Sequence, residues 1–207
     1  MKLSELIAAV PVSNVNRNGD PDITIVVEDS RAVNPGALFV ARRGRDLDGH
    51  GFIPAALEAG AATIVGEMAA EKLPEAYSNL PVPYVQVPDG AAAVGQLAAA
   101  LHGFPARELV MIGVTGTDGK TTTCNLIHSV LQVAGISAGL ITTVNAVIGH
   151  EVMDTGFHVT TPDAATVQGF LRAYGVGWHD PLCSGGHLPW SCAAARGGVR
   201  IRSCGGN

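Results

Sequence analysis

The sequence predicts an α/β protein in two parts: a small mixed sheet with flanking helices, followed by the truncated start of a parallel sheet. Three observations predict this fold class. Short apolar runs alternate with amphipathic or alanine-rich segments up to about residue 172. The stretch "GFPARE" (103–108) interrupts that alternation, which then restarts. Beyond residue 172 neither the helical nor the strand period is sustained, so we divide the chain at 103/104 and 172/173.

The first part alternates helices and strands. Its segments are a helix at 3–10, strands at 23–30 and 35–43, a helix then a strand within 53–67, and a strand then a helix within 82–103. Ser4 lies near the start of the first helix, and Gly60 closes the second. Asp89 is the candidate N-cap of the last helix, and Gly103 follows its end.

The second part begins as a β-α-β unit. Residues 109–115, "LVMIGVT", form a near-continuous apolar run, which is typical of a parallel strand buried on both faces. Residues 120–135 predict a helix, and residues 137–144 predict the next strand. The apolar positions of the helix fall on one stripe, formed by Leu126, Ile127, Val130, Leu131 and Ala134.

Composition excludes several classes of protein. The chain has 207 residues, 47% of them hydrophobic, and a formal net charge of -5, which argues against nonspecific nucleic-acid binding. Membrane spans are not expected because no apolar run is long enough, and the N-terminus lacks the pattern of a secretory signal. We therefore expect a cytoplasmic protein. None of its four cysteines is spaced as C-x-x-C, so we expect unpaired thiols.

The stretch "GVTGTDGKTTT" lies between the predicted strand and helix of the second part. It fails the pattern G-x-x-x-x-G-K-[ST] at its first position, where a valine stands. Its context is nevertheless that of a phosphate site, because backbone N–H groups and the helix dipole favour an anion there. Gly116 and Gly119 let the backbone approach phosphate oxygens, Lys120 reaches the β- and γ-phosphates, and the Thr121 hydroxyl completes a Mg²⁺ shell.

This stretch resembles the G-T-[N/D/H]-G-K-[T/S] loop of the Mur ligase family, the ATP-dependent amino-acid-adding enzymes of peptidoglycan synthesis. The run of threonines favours its tripeptide synthetases. The resemblance implies ATP and Mg²⁺ as cofactors, Lys120 as the catalytic residue and Thr121 as the metal ligand. Asp118 stands where asparagine is commoner in the family. The implied ATP-binding residues are Gly116, Thr117, Asp118, Gly119, Lys120, Thr121 and Thr122.

A second stretch, residues 28–61, resembles the family's N-terminal uridine-nucleotide-binding segment. It contains D-S-R, then G-x-L-F-V-A, then D-G before a helix. The resemblance implies substrate contacts from Ser30, Arg45, Asp46 and Leu47. On physical grounds alone, the loop arginines suit a diphosphate; these are Arg31, Arg42, Arg43 and Arg45.

The third stretch is "HVTTPDA" (158–164). In the tripeptide synthetases a T-T-P at this distance from the loop lies against the muramoyl-peptide end of the substrate, which implies contacts from Thr160 and Thr161. Without the family, the same residues predict a helix N-terminus, with Thr161 as the cap and Pro162 at the first helical position. The two interpretations are compatible.

The resemblance ends near residue 172. The remaining residues hold three of the four cysteines and lack the glutamate-serine-serine-histidine-glycine segment with which the family continues. An irregular extension, a metal or disulfide knot, and a wrong reading frame are the alternatives, and we favour the last. We expect this tail to be poorly packed and to hold no ordered metal site.

The resemblance implies a ligase that adds a diamino acid, lysine or diaminopimelate, to UDP-N-acetylmuramoyl-L-alanyl-D-glutamate. It does not imply an oligomer. Since the matching part is incomplete, we expect the chain to be an inactive fragment of such an enzyme. Two alternatives stay open: a related ligase of the folylpolyglutamate or cyanophycin type, and a noncatalytic module that binds uridine nucleotides without ATP. The first is disfavoured by the segment at 28–61.

Overall fold

The computed structural model describes residues 1–16, 18–44, 47–73, 80–149, 151–154, 163–176 and 191–195. The chain divides into two compact units, Met1–Gly103 and Phe104–Asn207. Five helices and ten strands lie in the described ranges. The helices are α1 (Leu3–Leu6), α2 (Ile53–Glu58), α3 (Gly90–Leu101), α4 (Lys120–Val133) and α5 (Ala164–Val176).

The first unit contains one mixed sheet. Its strands are β1 (Asn14–Asn16), β2 (Ile25–Val27), β3 (Ala37–Ala41), β4 (Thr63–Gly66) and β5 (Tyr84–Gln86), in the order β1-β5-β4-β3-β2. The pairs from β2 to β5 are parallel, whereas β1 runs antiparallel to β5. The mixed sheet predicted for this part is confirmed; β1 was not predicted.

The core of the first unit lies on both faces of this sheet. All five residues of β3 are buried, as expected for a central strand between two layers. Phe39 packs in one cluster with Ile53 of α2, while α3 packs against β2 and β3. Asp89 caps α3 as predicted, since its side chain accepts a hydrogen bond of 3.0 Å from the backbone N–H of Ala92.

The second unit contains another five-stranded sheet. Its strands are β6 (Val110–Val114), β7 (Ala138–Ile141), β8 (Asn145–Ile148), β9 (Glu151–Asp154) and β10 (Ser191–Ala195), in the order β6-β10-β7-β8-β9. The neighbouring pairs are all antiparallel, so β6 and β7, which both pair with β10, run parallel to each other. The predicted β6-α4-β7 unit is therefore present, but β10 lies between its two strands and every pairing in this sheet is antiparallel.

Residues 191–195 of the tail, where no strand was predicted, form the strand β10 between β6 and β7. Two expectations for the second unit are wrong. Residues 109–115 were expected to be buried on both faces, whereas β6 alternates between half-buried and exposed residues. The N-cap of α5 is Asp163 and not Thr161, because the Asp163 carboxylate accepts a hydrogen bond of 2.6 Å from Thr166 N–H and the helix begins at Ala164. Cys183 and Cys204 lie outside the described residues.

Candidate nucleotide and substrate sites

The glycine loop joins the end of β6 to the start of α4. Gly119 has φ +75°, a left-handed conformation that favours glycine, and immediately precedes the first helical residue. A Cβ atom added to Gly119 would meet no atom within 4 Å, and one added to Gly116 would meet only the Asp118 carbonyl oxygen at 3.6 Å. The space beside these two glycines is therefore open.

Lys120 folds over this loop. Its Nζ donates to the carbonyl oxygens of Gly116 at 2.7 Å and Thr117 at 3.0 Å. The ammonium group is therefore held at the loop by backbone dipoles, close to the N-terminus of α4. Lysine carries three N–H donors, so these two contacts leave one donor for an additional acceptor.

The first turn of α4 adds further donors. The backbone N–H groups of the first helical positions have no intrahelical partner, which makes this end of the helix suited to an anion. The side chain of Asn125 donates to the Thr121 carbonyl oxygen at 2.8 Å and so fixes the turn that presents the threonine hydroxyls. The structure thus brings together all seven residues predicted for ATP, from Gly116 to Thr122.

The candidate substrate residues of the first unit follow the carboxyl ends of its parallel strands. Ser30 comes after β2, and Leu47 lies in the loop after β3, where its side chain is 67% exposed. In open parallel sheets this edge is where ligands bind. Arg45 and Asp46, and likewise Thr160 and Thr161 of the second unit, lie outside the described residues.

Two of the loop arginines already have partners. Arg31 donates to the Asp29 carboxylate from both Nε and an NH group, at 3.0 and 2.6 Å, and Arg42 donates to Glu28 at 2.5 Å. The prediction that Arg31 and Arg42 serve a diphosphate is therefore not supported by their contacts. Arg43 is held more loosely, since its Nε lies 3.7 Å from the Asp48 carboxylate and its side chain is 63% exposed.

Sequence reasoning missed one residue at this edge. His50 is 4% exposed and lies 2.6 Å from Asp48 through its Nδ1 atom. Partial burial disfavours the charged form of Asp48, but the N–H groups of His50 outweigh it and hold the pKa of that carboxyl below its ordinary value. The D-x-H spacing directly before a helix was the available signal.

Two further features bear on the site. Among the described residues, no group of three histidine, cysteine, aspartate or glutamate side chains could hold a metal ion. The described part of the chain also holds no helix long and apolar enough to cross a membrane.

Comparison with protein families gives two matches. Residues 22–102 match the Mur ligase family, catalytic domain, and residues 114–178 match the Mur ligase middle domain. The glycine loop lies at the beginning of the second match. Together the two matches span most of the chain.

Similar proteins agree with these matches. The chain is 47% identical to a UDP-N-acetylmuramyl-tripeptide synthetase of Roseiflexus sp. (strain RS-1), over 74% of the chain and 29% of the relative. It is 42% identical to the synthetase of the same name from Deinococcus radiodurans, over 83% of the chain and 35% of the relative. The chain thus spans about a third of the length of these relatives.

Among solved structures, a UDP-N-acetylmuramoyl-L-alanyl-D-glutamate--2,6-diaminopimelate ligase is similar, with a TM-score of 0.53 and 24% identity. The match covers 74% of this chain and 29% of that one, and it supports the fold. The resemblance predicted from the glycine loop and from residues 28–61 is confirmed by the family matches. The chain belongs to the Mur ligase family.

Proposed function

We propose that this chain supplies the uridine-nucleotide-binding and ATP-binding parts of a ligase that adds an amino acid to UDP-N-acetylmuramoyl-L-alanyl-D-glutamate in peptidoglycan synthesis. The observation that carries the proposal is the glycine loop between β6 and α4, with its open backbone and Lys120 folded over it. The names of the relatives support the choice of substrate. The cytoplasm, where both nucleotides are found, is the proposed location.

The loop fits the phosphate chain of ATP. Its glycines leave room for oxygen atoms, and the N–H groups of the first turn of α4 point towards them. Lys120 would hold the β- and γ-phosphates and neutralise the charge that develops during phosphoryl transfer. When bound, ATP supplies the phosphoryl group that activates the carboxylate of the substrate.

Magnesium would be held chiefly by oxygen atoms. Thr121, at the second position of α4, offers its hydroxyl, as the corresponding serine or threonine does in other phosphate loops. Magnesium usually keeps several waters and binds through phosphate oxygens, so it does not require a cage made by the protein. This suits the described residues, which contain no cluster of metal-binding side chains.

The first unit is the proposed site for the uridine nucleotide. Ser30 and Leu47 lie at the carboxyl edge of its sheet, and we assign Arg45 and Asp46 to the same site because they belong to the loop after β3. Thr160 and Thr161 are proposed to contact the peptide end of the substrate. Arg43, which is accessible on the same loop, is a further candidate for the diphosphate.

The chain spans about a third of the length of these relatives, so we propose for it the two nucleotide sites and not the complete ligation. A second candidate is a noncatalytic module that binds a uridine nucleotide. The observation that favours it is the exposure of β6, no residue of which is fully buried. It differs from the first proposal in one respect, since it would not bind ATP.

Calorimetric titration separates these candidates. The chain is titrated with ATP and Mg²⁺, and in parallel with UDP-N-acetylmuramoyl-L-alanyl-D-glutamate. The proposal expects saturable binding of both, with ATP binding lost in Lys120→Ala and kept in Lys72→Ala, a lysine of the first unit. Binding of the uridine nucleotide without ATP would select the noncatalytic module, and binding of neither would refute the proposed function.

A further inference from the structure

A single helical turn, Ser30–Ala32, follows β2 at the carboxyl edge of the first sheet. Its N-cap is Asp29, whose backbone is extended. Ser30, which we assign to the uridine nucleotide, is the first residue of the turn and is half-buried. No residue of the turn is buried, so packing alone does not fix its conformation.

Three N–H groups of Arg31 converge on the Asp29 carboxylate. The backbone N–H donates to Oδ1 at 2.9 Å, and the Nε atom lies 3.0 and 3.1 Å from the two carboxylate oxygens. A terminal N–H group of the guanidinium donates to Oδ2 at 2.6 Å. These contacts close a ring that contains Ser30, and we call them the Asp29–Arg31 clamp.

The clamp has the geometry in which arginine binds a carboxylate most specifically. A planar guanidinium presents its N–H donors as a fixed fork, so contact with both carboxylate oxygens sets the orientation of the pair as well as its distance. The Arg31 guanidinium also holds the pKa of the Asp29 carboxyl below its ordinary value. Asp29 therefore stays an ionised acceptor at neutral pH.

Stability does not account for this clamp. The side chains of Arg31 and Asp29 are 89% and 46% exposed. Ion pairs on the surface stabilise a folded protein little, because water and salt screen their charges. The consequence of the clamp is therefore sought in the conformation of the turn.

The turn is anchored at its two ends. Before it, Val27 is buried at the end of β2, and after it Val33 packs against the core of the first unit, while α2 packs beside the turn. Within the turn, Ala32 N–H donates to the Asp29 carbonyl at 3.0 Å, and Val33 N–H donates to the Ser30 carbonyl at 3.4 Å. The clamp adds charge-assisted hydrogen bonds to this short backbone set.

We propose that Asp29 and Arg31 are positioning residues of the uridine-nucleotide site: their clamp holds the turn so that the Ser30 hydroxyl faces the ligand. The proposal rests on the proposed function, which assigns Ser30 to that ligand. Arg31 acts through Ser30 and does not contact the nucleotide. The clamp can therefore contribute no more to affinity than the Ser30 hydroxyl does.

The test is calorimetric titration of single variants with UDP-N-acetylmuramoyl-L-alanyl-D-glutamate. Ser30→Ala should weaken binding about fivefold, which is the typical effect of one lost hydrogen bond. Arg31→Gln cannot make the two-pronged contact and should weaken binding about threefold. Because Arg31 is exposed, this variant is expected to fold.

Lys2→Gln is the matched control. It breaks another exposed ion pair of the first unit, between Lys2 and Asp22 at 2.8 Å, and should leave affinity unchanged. A loss of affinity in Lys2→Gln equal to that in Arg31→Gln would overturn the proposal, because any exposed ion pair would then have the same effect.

A double variant separates positioning from direct contact. In the Ser30→Ala background, Arg31→Gln should change affinity by less than about 1.5-fold, because no hydroxyl is left to position. If Arg31 contacted the ligand itself, the full loss would appear in both backgrounds, and the proposal would be wrong. It would also be wrong if Arg31→Gln bound as tightly as the parent, or more weakly than Ser30→Ala.

A readout without ligand keeps the two proposals apart. If the unaltered chain does not bind the uridine nucleotide, the proposed function fails, and the clamp is then judged by amide hydrogen exchange. The amides at positions 31 and 32 should exchange faster in Arg31→Gln than in the parent and at the parent's rate in Lys2→Gln. Equal exchange in Arg31→Gln and the parent would refute the hold of the clamp on the turn.

Discussion

The strands that lead into the two candidate sites, β3 in the first unit and β6 in the second, are buried to different extents. In the first, every residue of β3 and of β4 is buried between two layers. In the second, β6 alternates between half-buried and exposed residues. Strands β3 and β6 are both runs of apolar residues, and each is followed by a loop that we assign to a ligand. The difference shows that a strand and the glycine loop after it can form where the strand is only partly covered.

The helices show the same contrast. Leu97, on the sheet-facing side of α3, is fully buried, while α4 leaves Leu126, Val130 and Val133 exposed at positions that share one helical face. No residue of α4 after Lys120 is charged, which is unusual for a helix face in contact with water. We infer that the first unit is the more stable of the two, and the following predictions test that inference.

The largest expected effect comes from paired core and surface truncations. Phe39→Ala removes a fully buried ring and should destabilise the first unit by about 3–5 kcal/mol. Val133→Ala, whose side chain is 91% exposed, should change stability by less than about 0.5 kcal/mol. Urea unfolding, followed by hydrogen exchange in each unit, measures both changes in the free energy of unfolding. Similar losses from the two variants would contradict the contrast.

Alanine substitutions at two glycines, one in each unit, are expected to destabilise the protein for different physical reasons. Gly66→Ala should cost about 1–3 kcal/mol, because its new methyl group would collide with His50 and Tyr84. Gly119→Ala meets no atom, so its cost should be only the left-handed backbone, about 1–2 kcal/mol. Thermal unfolding compares the two. A Gly66→Ala protein as stable as the parent would show that the side chains of His50 and Tyr84 can move away from the new methyl group.

A smaller effect is expected at the start of α3. Asp89→Ala removes the cap of this helix and should destabilise the first unit by about 1 kcal/mol, whereas Asp89→Asn should stay within a few tenths. In the second unit, α5 is capped by Asp163 in the same way, whereas α4, whose N-cap is Gly119, has no side-chain cap. Urea denaturation checks the pair. If the alanine and asparagine variants were equally stable, the Asp89 side chain would not stabilise α3 as a cap.

The smallest effect concerns acid. The Arg31 guanidinium, which donates to Asp29, holds the pKa of that carboxyl below its ordinary value. Because the folded-state pKa is the lower one, the pair stabilises the protein at neutral pH, and this contribution fades as the pH falls below about 4. The pair is exposed, so the effect should be small. Comparing Arg31→Gln with the parent between neutral and acidic pH measures it; a difference that grows in acid would reverse the sign.

What the sequence predicted correctly depends on local chemistry. The helix boundary at Asp89 and the loop before Lys120 follow from short-range signals, and both are present. The burial of β6 does not follow from such signals, because a strand is covered only if segments distant in the sequence pack against it. Its apolar run predicted two buried faces, and the structure leaves it at the edge of the sheet.

The candidate site was predictable to the same limited extent. The glycine loop is contiguous in sequence, so the residues proposed for ATP could be assigned together. Only one of the two arginine partners was predictable, because Asp29 is two residues from Arg31. Glu28 follows β2 and Arg42 follows β3, so only the pairing of these strands brings them together. His50 was missed because its role depends on the N–H groups of Glu67 and Met68, which only the fold brings near.

The most direct test of the central claim is titration of the chain with UDP-N-acetylmuramoyl-L-alanyl-D-glutamate and then with ATP and Mg²⁺. We expect saturable binding of both nucleotides and loss of ATP binding alone in Lys120→Ala. A chain that binds neither nucleotide would contradict the assignment of both sites.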